Sequence, residues 1–303
     1  MRSATAIVIL LLSLSTACAQ SPKASDVPAL SGDKAMEHVR AQVAFGPRPP
    51  GSPALEKCRN YIIERLRDHG YTVEQDAFEA NTPYGAKKMV NLIGRKGTGD
   101  RGIIALASHY DSKYMEGKQF VGANDGASST GLLLELARVL AGASAPLDYW
   151  FLFLDGEEAF VEWSTFDSTY GSRHLARRWK QEGTAAKVRA LILLDMIGDR
   201  NLDILKEYNS TRWLVDLVWE AGAKAGVSEI LSPVQAAIED DHIPFLDVGI
   251  PSVDIIDLNY GPGNSYHHTL SDTLDKVSPE SMEKTGRLVL MLLSMLQERF
   301  ARK

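Results

Sequence analysis

The chain has 303 residues, 45% of them hydrophobic and 24% charged, with 33 Lys and Arg set against 39 Asp and Glu for a formal net charge of -6. That length and apolar content suit one large α/β domain with a filled core. The mild charge and dispersed basic residues offer no footprint for nucleic acid or for an anionic membrane surface.

Met1-Arg2 is followed by an apolar run from Ala4 to Leu14 and then Ser15-Thr-Ala-Cys-Ala-Gln20, the layout of an export signal over residues 1–19. The run is short of the roughly 20 apolar residues a transmembrane helix needs, so no spanning segment is expected. Ala17-Cys18-Ala19 fits cleavage after Ala19. Cys18 behind small residues also resembles a bacterial lipoprotein site, with cleavage after Ala17 and a lipid anchor at Cys18, although Ser15 fits that pattern poorly. The expected location is periplasmic or secreted, with or without the anchor. Residues 20–32 read as a loose leader and 33–303 as the catalytic domain. Cys58 is then the sole cysteine after the leader, so no internal disulfide can form.

Asp33 to Phe45 has helical periodicity and stops at the breakers Gly46-Pro-Arg-Pro-Pro-Gly51. A second helix is predicted from Pro53, capped by Ser52, to about His69. Tyr71–Phe78 and Lys88–Ile93 read as strands joined by the turn formers Thr82-Pro-Tyr-Gly85. Gly102–Ser108 is an apolar strand ending at His109. Asn124-Asp125-Gly126 opens a helix over Ala127–Leu140, where simple capping is the default role for Asp125. Leu147–Leu154 is a strand that Gly156 lets stop sharply before Glu157 and Glu158.

A helix follows from Ser172 to Gln181, and Val188–Leu194 is a buried strand with Asp195 at its exit. An acid directly after Leu-Ile-Leu-Leu is awkward unless something holds its charge. Ser210–Ala225 is amphipathic, Asp240-Asp-His-Ile-Pro-Phe245 is a polar entry to a short apolar segment, and Pro251–Ile256 is another strand. Tyr260–Asp272 is a turn-rich loop carrying His267 and His268, before a last helix from Pro279 to about Arg299. Alternating strands and helices predict a single α/β domain whose mixed, largely parallel central sheet is covered by helices on both faces. In such sheets ligands bind at the carboxyl ends of the strands.

Those ends and one late loop supply His109, Asp125, Glu157, Glu158, Asp195 and His268, a zinc-type set of imidazole nitrogens and carboxylate oxygens. Taken singly, each has an ordinary structural role. Ser-His109-Tyr-Asp-Ser, Asn-Asp125-Gly, Gly-Glu157-Glu158, Leu-Asp195-Met-Ile-Gly and His268-Thr-Leu-Ser-Asp together resemble the zinc aminopeptidases of the co-catalytic two-metal clan. Longer stretches are similar to one branch of it, the animal-type glutaminyl cyclases: His-Tyr-Asp-Ser-Lys-Tyr, Phe-Val-Gly-Ala-Asn-Asp, Asp-Gly-Glu-Glu-Ala-Phe, Trp163-Ser and Asp-Asp-His-Ile-Pro-Phe-Leu.

The resemblance implies one zinc held by Asp125, Glu158 and His268, with Glu157 carrying the proton. Asp195 and Asp240 would form an acidic network beside it, and Trp163 would shape the substrate pocket. His267 stands where that family usually has tryptophan, and the cysteine pair of the animal enzymes is missing. The implied reaction closes the N-terminal glutamine of a peptide or protein onto its own side-chain amide, giving pyroglutamate and ammonia. The rival is an exported aminopeptidase with two zinc ions, the second on His109 and Asp195 and bridged by Asp125, with Glu157 activating water. A non-catalytic binding protein of the same fold is a further alternative, disfavoured by the intact Glu157.

Overall fold

The computed structural model describes residues 29–301, so the export signal, its cleavage alternatives and Cys18 lie outside the described residues. Two helices lead, α1 (Gly32–Ala44) and α2 (Pro53–Asp68), the second capped by the Ser52 side chain on the backbone N–H of Leu55. Then come β1 (Thr72–Thr82), β2 (Gly85–Arg95), β3 (Ile103–His109), α3 (Ala127–Leu140), β4 (Asp148–Leu154), α4 (Tyr170–Glu182) and β5 (Val188–Asp195). The chain continues through β6 (Ile204–Glu207), α5 (Arg212–Ala225), β7 (Leu231–Ala236), α6 (His242–Asp247), β8 (Ser252–Ile256) and α7 (Pro279–Ala301).

Six strands form one sheet in the order β1-β2-β4-β3-β5-β8. The β1–β2 hairpin is antiparallel and pairs antiparallel to β4, whereas β4, β3, β5 and β8 run parallel. The mixed, largely parallel sheet expected from the sequence is therefore present. Alternation along β4 explains its two covered faces. Phe151 and Phe153 join Ile104, Leu106 and Ile192 in the larger core beneath α1, α2, α3, α5 and α7. Trp150, Leu152 and Leu154 point the other way, onto Leu175 and Trp179 of α4 and Phe245 of α6.

The connections set the position of the site. From β3 the chain crosses by α3 to β4 on one side, and from β4 it crosses by α4 to β5 on the other side of β3. The strand order thus reverses at β3, and the cleft at such a reversal opens at the strands' carboxyl ends. His109 is the last residue of β3.

The structure adds two local elements and corrects one reading. The apolar segment that holds Phe245 is the short helix α6, with Asp240 and Asp241 just ahead of it. Ile204–Glu207 and Leu231–Ala236 pair as a separate two-stranded parallel sheet that the sequence reading left unassigned. Asp125 is not a helix cap, because the N-cap of α3 is Gly126, which makes no side-chain cap bond. Gly126 has φ of +83°, and a Cβ there would come within 2.6 Å of the Asp111 carbonyl oxygen, so glycine is required for Asp125 to turn inward. Cys58 is fully buried in α2, its thiol pushed up to about 12 chiefly by burial, as befits an inert core residue.

Candidate active site

The parallel strands deliver acids and imidazoles to one place. His109 Nε2 lies 3.2 Å from an Asp195 oxygen and 3.3 Å from Asp125 Oδ1, while its Nδ1 is 3.5 Å from Asp111 and 3.9 Å from Glu157. The late loop brings His268 Nε2 to 3.3 Å from Asp125 Oδ2 and 3.1 Å from Glu158 Oε2. Asp125 therefore stands between the two imidazoles, one carboxylate oxygen toward each. His267 stacks against His268 with ring centroids 3.9 Å apart.

Holding so many acids together under little solvent requires fixed partners. Burial would lower His268, but Glu158 and Asp125 outweigh it and lift the imidazole to about 10. The same contest raises His109 well above its ordinary value, through Asp111, Asp125 and Asp195. Asp125 is held well below the usual carboxylate range, because the two imidazoles overcome its burial. Glu157 goes the other way: burial pushes it well up, and the nearby acids Glu158, Asp240 and Asp241 add to that against the opposing charge of His109.

Backbone geometry carries some of the load. His268 and Met196, the residue after Asp195, have φ of 52° and 47°, conformations that side chains other than glycine adopt at a cost of roughly 1–3 kcal/mol. Asp111 accepts the backbone N–H groups of Glu157 and Glu158 at 3.2 and 3.4 Å and so fixes the turn that carries both acids. Asp272 does the same for the N–H groups of Asn124 and Asp125. Lys113 Nζ reaches the Ala159 carbonyl oxygen at 3.1 Å and Glu158 at 3.4 Å. None of these three was singled out from sequence, although each lies in a stretch already noted for its charged residues.

An open cavity of about 480 Å³ adjoins the cluster, lined by Asp125, Glu157, Trp163, Asp195, Asp240 and His267, with apolar wall from Met196, Ile238 and Ile256. All the sequence-derived residues meet at or beside this cavity. Glu158 is behind it, nearly fully buried. Trp163 is carried by a loop that Asp167 ties down, accepting the N–H groups of Phe160, Val161 and Glu162 at 2.9, 2.8 and 3.1 Å.

The sequence profile of peptidase family M28 matches residues 91–293. A glutaminyl-peptide cyclotransferase of Drosophila melanogaster is 34% identical over 270 residues, covering 80% of this chain and 75% of the relative. The chain belongs to peptidase family M28, among the glutaminyl-peptide cyclotransferases. A glutaminyl cyclase crystal structure from an Acidobacteriales bacterium superposes on this M28 enzyme with a TM-score of 0.86 at 40% identity, covering 93% of this chain and all of the other. A Zn-dependent exopeptidase from Parabacteroides distasonis superposes with a TM-score of 0.79 at 28% identity, covering 89% and 99%.

Zinc is the metal that this family and neighbourhood imply, and the residues fit it. Among the described residues, Asp125 Oδ2 and Glu158 Oε1 are buried carboxylate oxygens without hydrogen-bond partners, and His268 Nε2 faces both residues at 3.3 and 3.1 Å, a carboxylate and imidazole set that zinc takes as ligands. No helix among the described residues is long and apolar enough to cross a membrane.

Proposed function

We propose that this enzyme cyclises the N-terminal glutamine of peptides and proteins to pyroglutamate, releasing ammonia. The observation that carries the reading is the cavity wall, where Glu157 stands free of the His268 cluster and shares the space with Trp163, His267 and Asp240. A bare hydrolase would need metal ligands and a base, whereas this wall also offers an aromatic surface to fold a short side chain against. One zinc ion on Asp125, Glu158 and His268 would polarise the side-chain amide carbonyl.

The chain's own groups do the rest. Trp163 and the apolar wall hold the glutamine curled so that its α-amine faces the side-chain amide carbon, and ring closure gains from that orientation. As the amine nitrogen bonds to the carbon, Glu157 accepts a proton from it. Glu157 returns the proton to the amide nitrogen, the old carbon–nitrogen bond breaks, and ammonia leaves. A carboxyl group pushed up by burial suits both directions of transfer. Glu158, Asp240 and Asp241 keep Glu157 in an acidic surround that favours its carrying the proton, and Asp195 lines the same cavity.

Two further parts of the reading rest on sequence. Residues 33–303 form the catalytic domain, and residues 1–19 direct export to the periplasm or medium, with a lipid at Cys18 if cleavage falls after Ala17.

The aminopeptidase reading keeps one specific support: His109, Asp125 and Asp195 offer donor atoms within 4.8 Å of one another, a possible second metal position. Incubation with a Gln-initiated and a Leu-initiated peptide separates the two. The expected result is loss of ammonia from the first peptide with its backbone intact, and no change in the second. Release of free leucine at a comparable rate, without ammonia from the first, would replace cyclisation by hydrolysis.

A further inference from the structure

Burial divides the lining of the active-site cavity into a floor and a mouth. Asp125, Glu157, Asp195 and Asp240 belong to the buried floor, while Trp163 and Leu258 are half-buried and Glu239 is exposed at the opening. On the reading that an N-terminal glutamine fills the floor, the residue that follows it must leave past the mouth. Its side chain therefore meets Glu239, Trp163 and Leu258.

The acids of the floor have partners within the floor. Asp125 lies between His109 and His268, Asp195 is 3.2 Å from His109, and Glu157 faces the same imidazole at 3.9 Å. Burial, with Asp195 and Asp241 beside it, pushes Asp240 well above the usual carboxylate range, toward its neutral form. Glu239 differs from all of these. Among the described residues, no lysine, arginine or histidine pairs with its carboxylate, and no lysine or arginine lines the cavity. The mouth thus presents a negative charge without a counter-charge, which favours an incoming cation and opposes an anion.

The apolar neighbours suit a long cationic side chain. Lysine and arginine lay an aliphatic stem along apolar surface while the charged head stays in water, and the face of a tryptophan ring attracts such a head. We propose that Glu239 makes the enzyme prefer substrates whose second residue, directly after the glutamine, is lysine or arginine over those with aspartate or glutamate there. A single exposed ion pair is weak. Discrimination between opposite charges adds a repulsion to that attraction, so the preference is graded and not absolute.

Binding can be measured apart from turnover. Zinc-loaded protein carrying Glu157→Gln is titrated by calorimetry with three peptide amides that begin Gln-Lys, Gln-Ala and Gln-Glu and are otherwise identical. The Gln-Lys peptide should bind roughly tenfold more tightly than the Gln-Glu peptide at low salt, with Gln-Ala between them. Adding Glu239→Gln should bring that ratio close to one, and Glu239→Lys should reverse the order. About 0.5 M sodium chloride should shrink the ratio wherever Glu239 is kept. A mere loosening of the mouth would weaken all three peptides alike and leave the ratio standing. A ratio that survives Glu239→Gln would overturn the proposal, as would equal affinities or no binding of the Gln-Lys peptide. Ammonia release from the Gln-Ala peptide by the native enzyme tests cyclisation separately. Selective binding without ammonia would remove the reaction and keep the role of Glu239, and ammonia without charge selectivity would do the reverse.

Discussion

Glu157 and Glu158 are neighbours in sequence with different work, and their surroundings divide them. Glu158 Oε2 is 3.1 Å from His268 and 3.4 Å from Lys113, nearly sealed from solvent. Among the described residues Glu157 makes one charged pair, with His109 at 3.9 Å, and it faces the cavity. In the proposed reaction the first would hold the cation and the second would move the proton. Glu157→Gln keeps the size and shape of the side chain and removes its basicity. It should retain zinc content by mass spectrometry while kcat on a Gln-initiated peptide falls about 100-fold or more. Unchanged kcat at saturating peptide would assign the proton to another group, such as Asp240 or Asp195 on the same cavity wall.

Among the connecting elements, the 160–167 loop matters most, because it presents Trp163 from a segment without regular structure. Its order rests on Asp167, which gathers three backbone N–H groups and the Tyr170 hydroxyl, the latter at 2.8 Å. Asp167→Ala should raise KM for a Gln-initiated peptide by roughly tenfold, with a smaller fall in kcat, since positioning is lost before the proton carrier is disturbed. An equal fall in kcat with KM unchanged would place the loop's effect on the chemistry itself.

Elements of this kind also mark where the sequence stops being informative. His109, Asp195 and the Glu157–Glu158 pair were legible because each follows an apolar run, and a parallel sheet must bring such ends together. The assembly of β6 with β7 was not, since β6 has only four residues and the mostly exposed β7 carries Pro233 and no continuous apolar run. Helix α6 was hidden by Pro244, which reads as a breaker yet is tolerated in a helix's first turn, where no intrahelical N–H is needed. Asp254 carried the same warning as Asp195, an acid inside an apolar strand. The groups around it, His242 of α6 and Glu207 of β6, come from elements the pattern did not show.

Across the whole molecule, a population of acids is buried around the strands' carboxyl ends, at a cost to their charged forms. Burial, with the charges around it, pushes Asp155 up to about 8 and both Asp241 and Asp272 up to about 7. Asp155 offers a clean test of the consequence. It is fully buried, with the Asp111 carboxylate adding to its burial, and Oδ2 accepts the Val90 N–H at 2.8 Å while Oδ1 has no partner. In the unfolded chain it would titrate near the ordinary aspartate value of about 3.9. Between that pH and about 8 the folded protein keeps a proton that the unfolded chain has released. Stability from this group is therefore complete below the lower value and is lost as pH rises through the upper one, with a slope of at most about 1.4 kcal/mol per pH unit. Asp155→Asn resembles the protonated acid, keeps an acceptor for Val90 and removes the titration. Urea midpoints at pH 5 and pH 8, at one fixed zinc concentration, should fall more steeply for the native chain than for the variant. Zinc release at the lower pH acts on both proteins and cancels in the difference. Parallel lines would mean that Asp155 is ionised in the folded state throughout, stabilised by Val90, Tyr110 and nearby charge more strongly than its burial opposes.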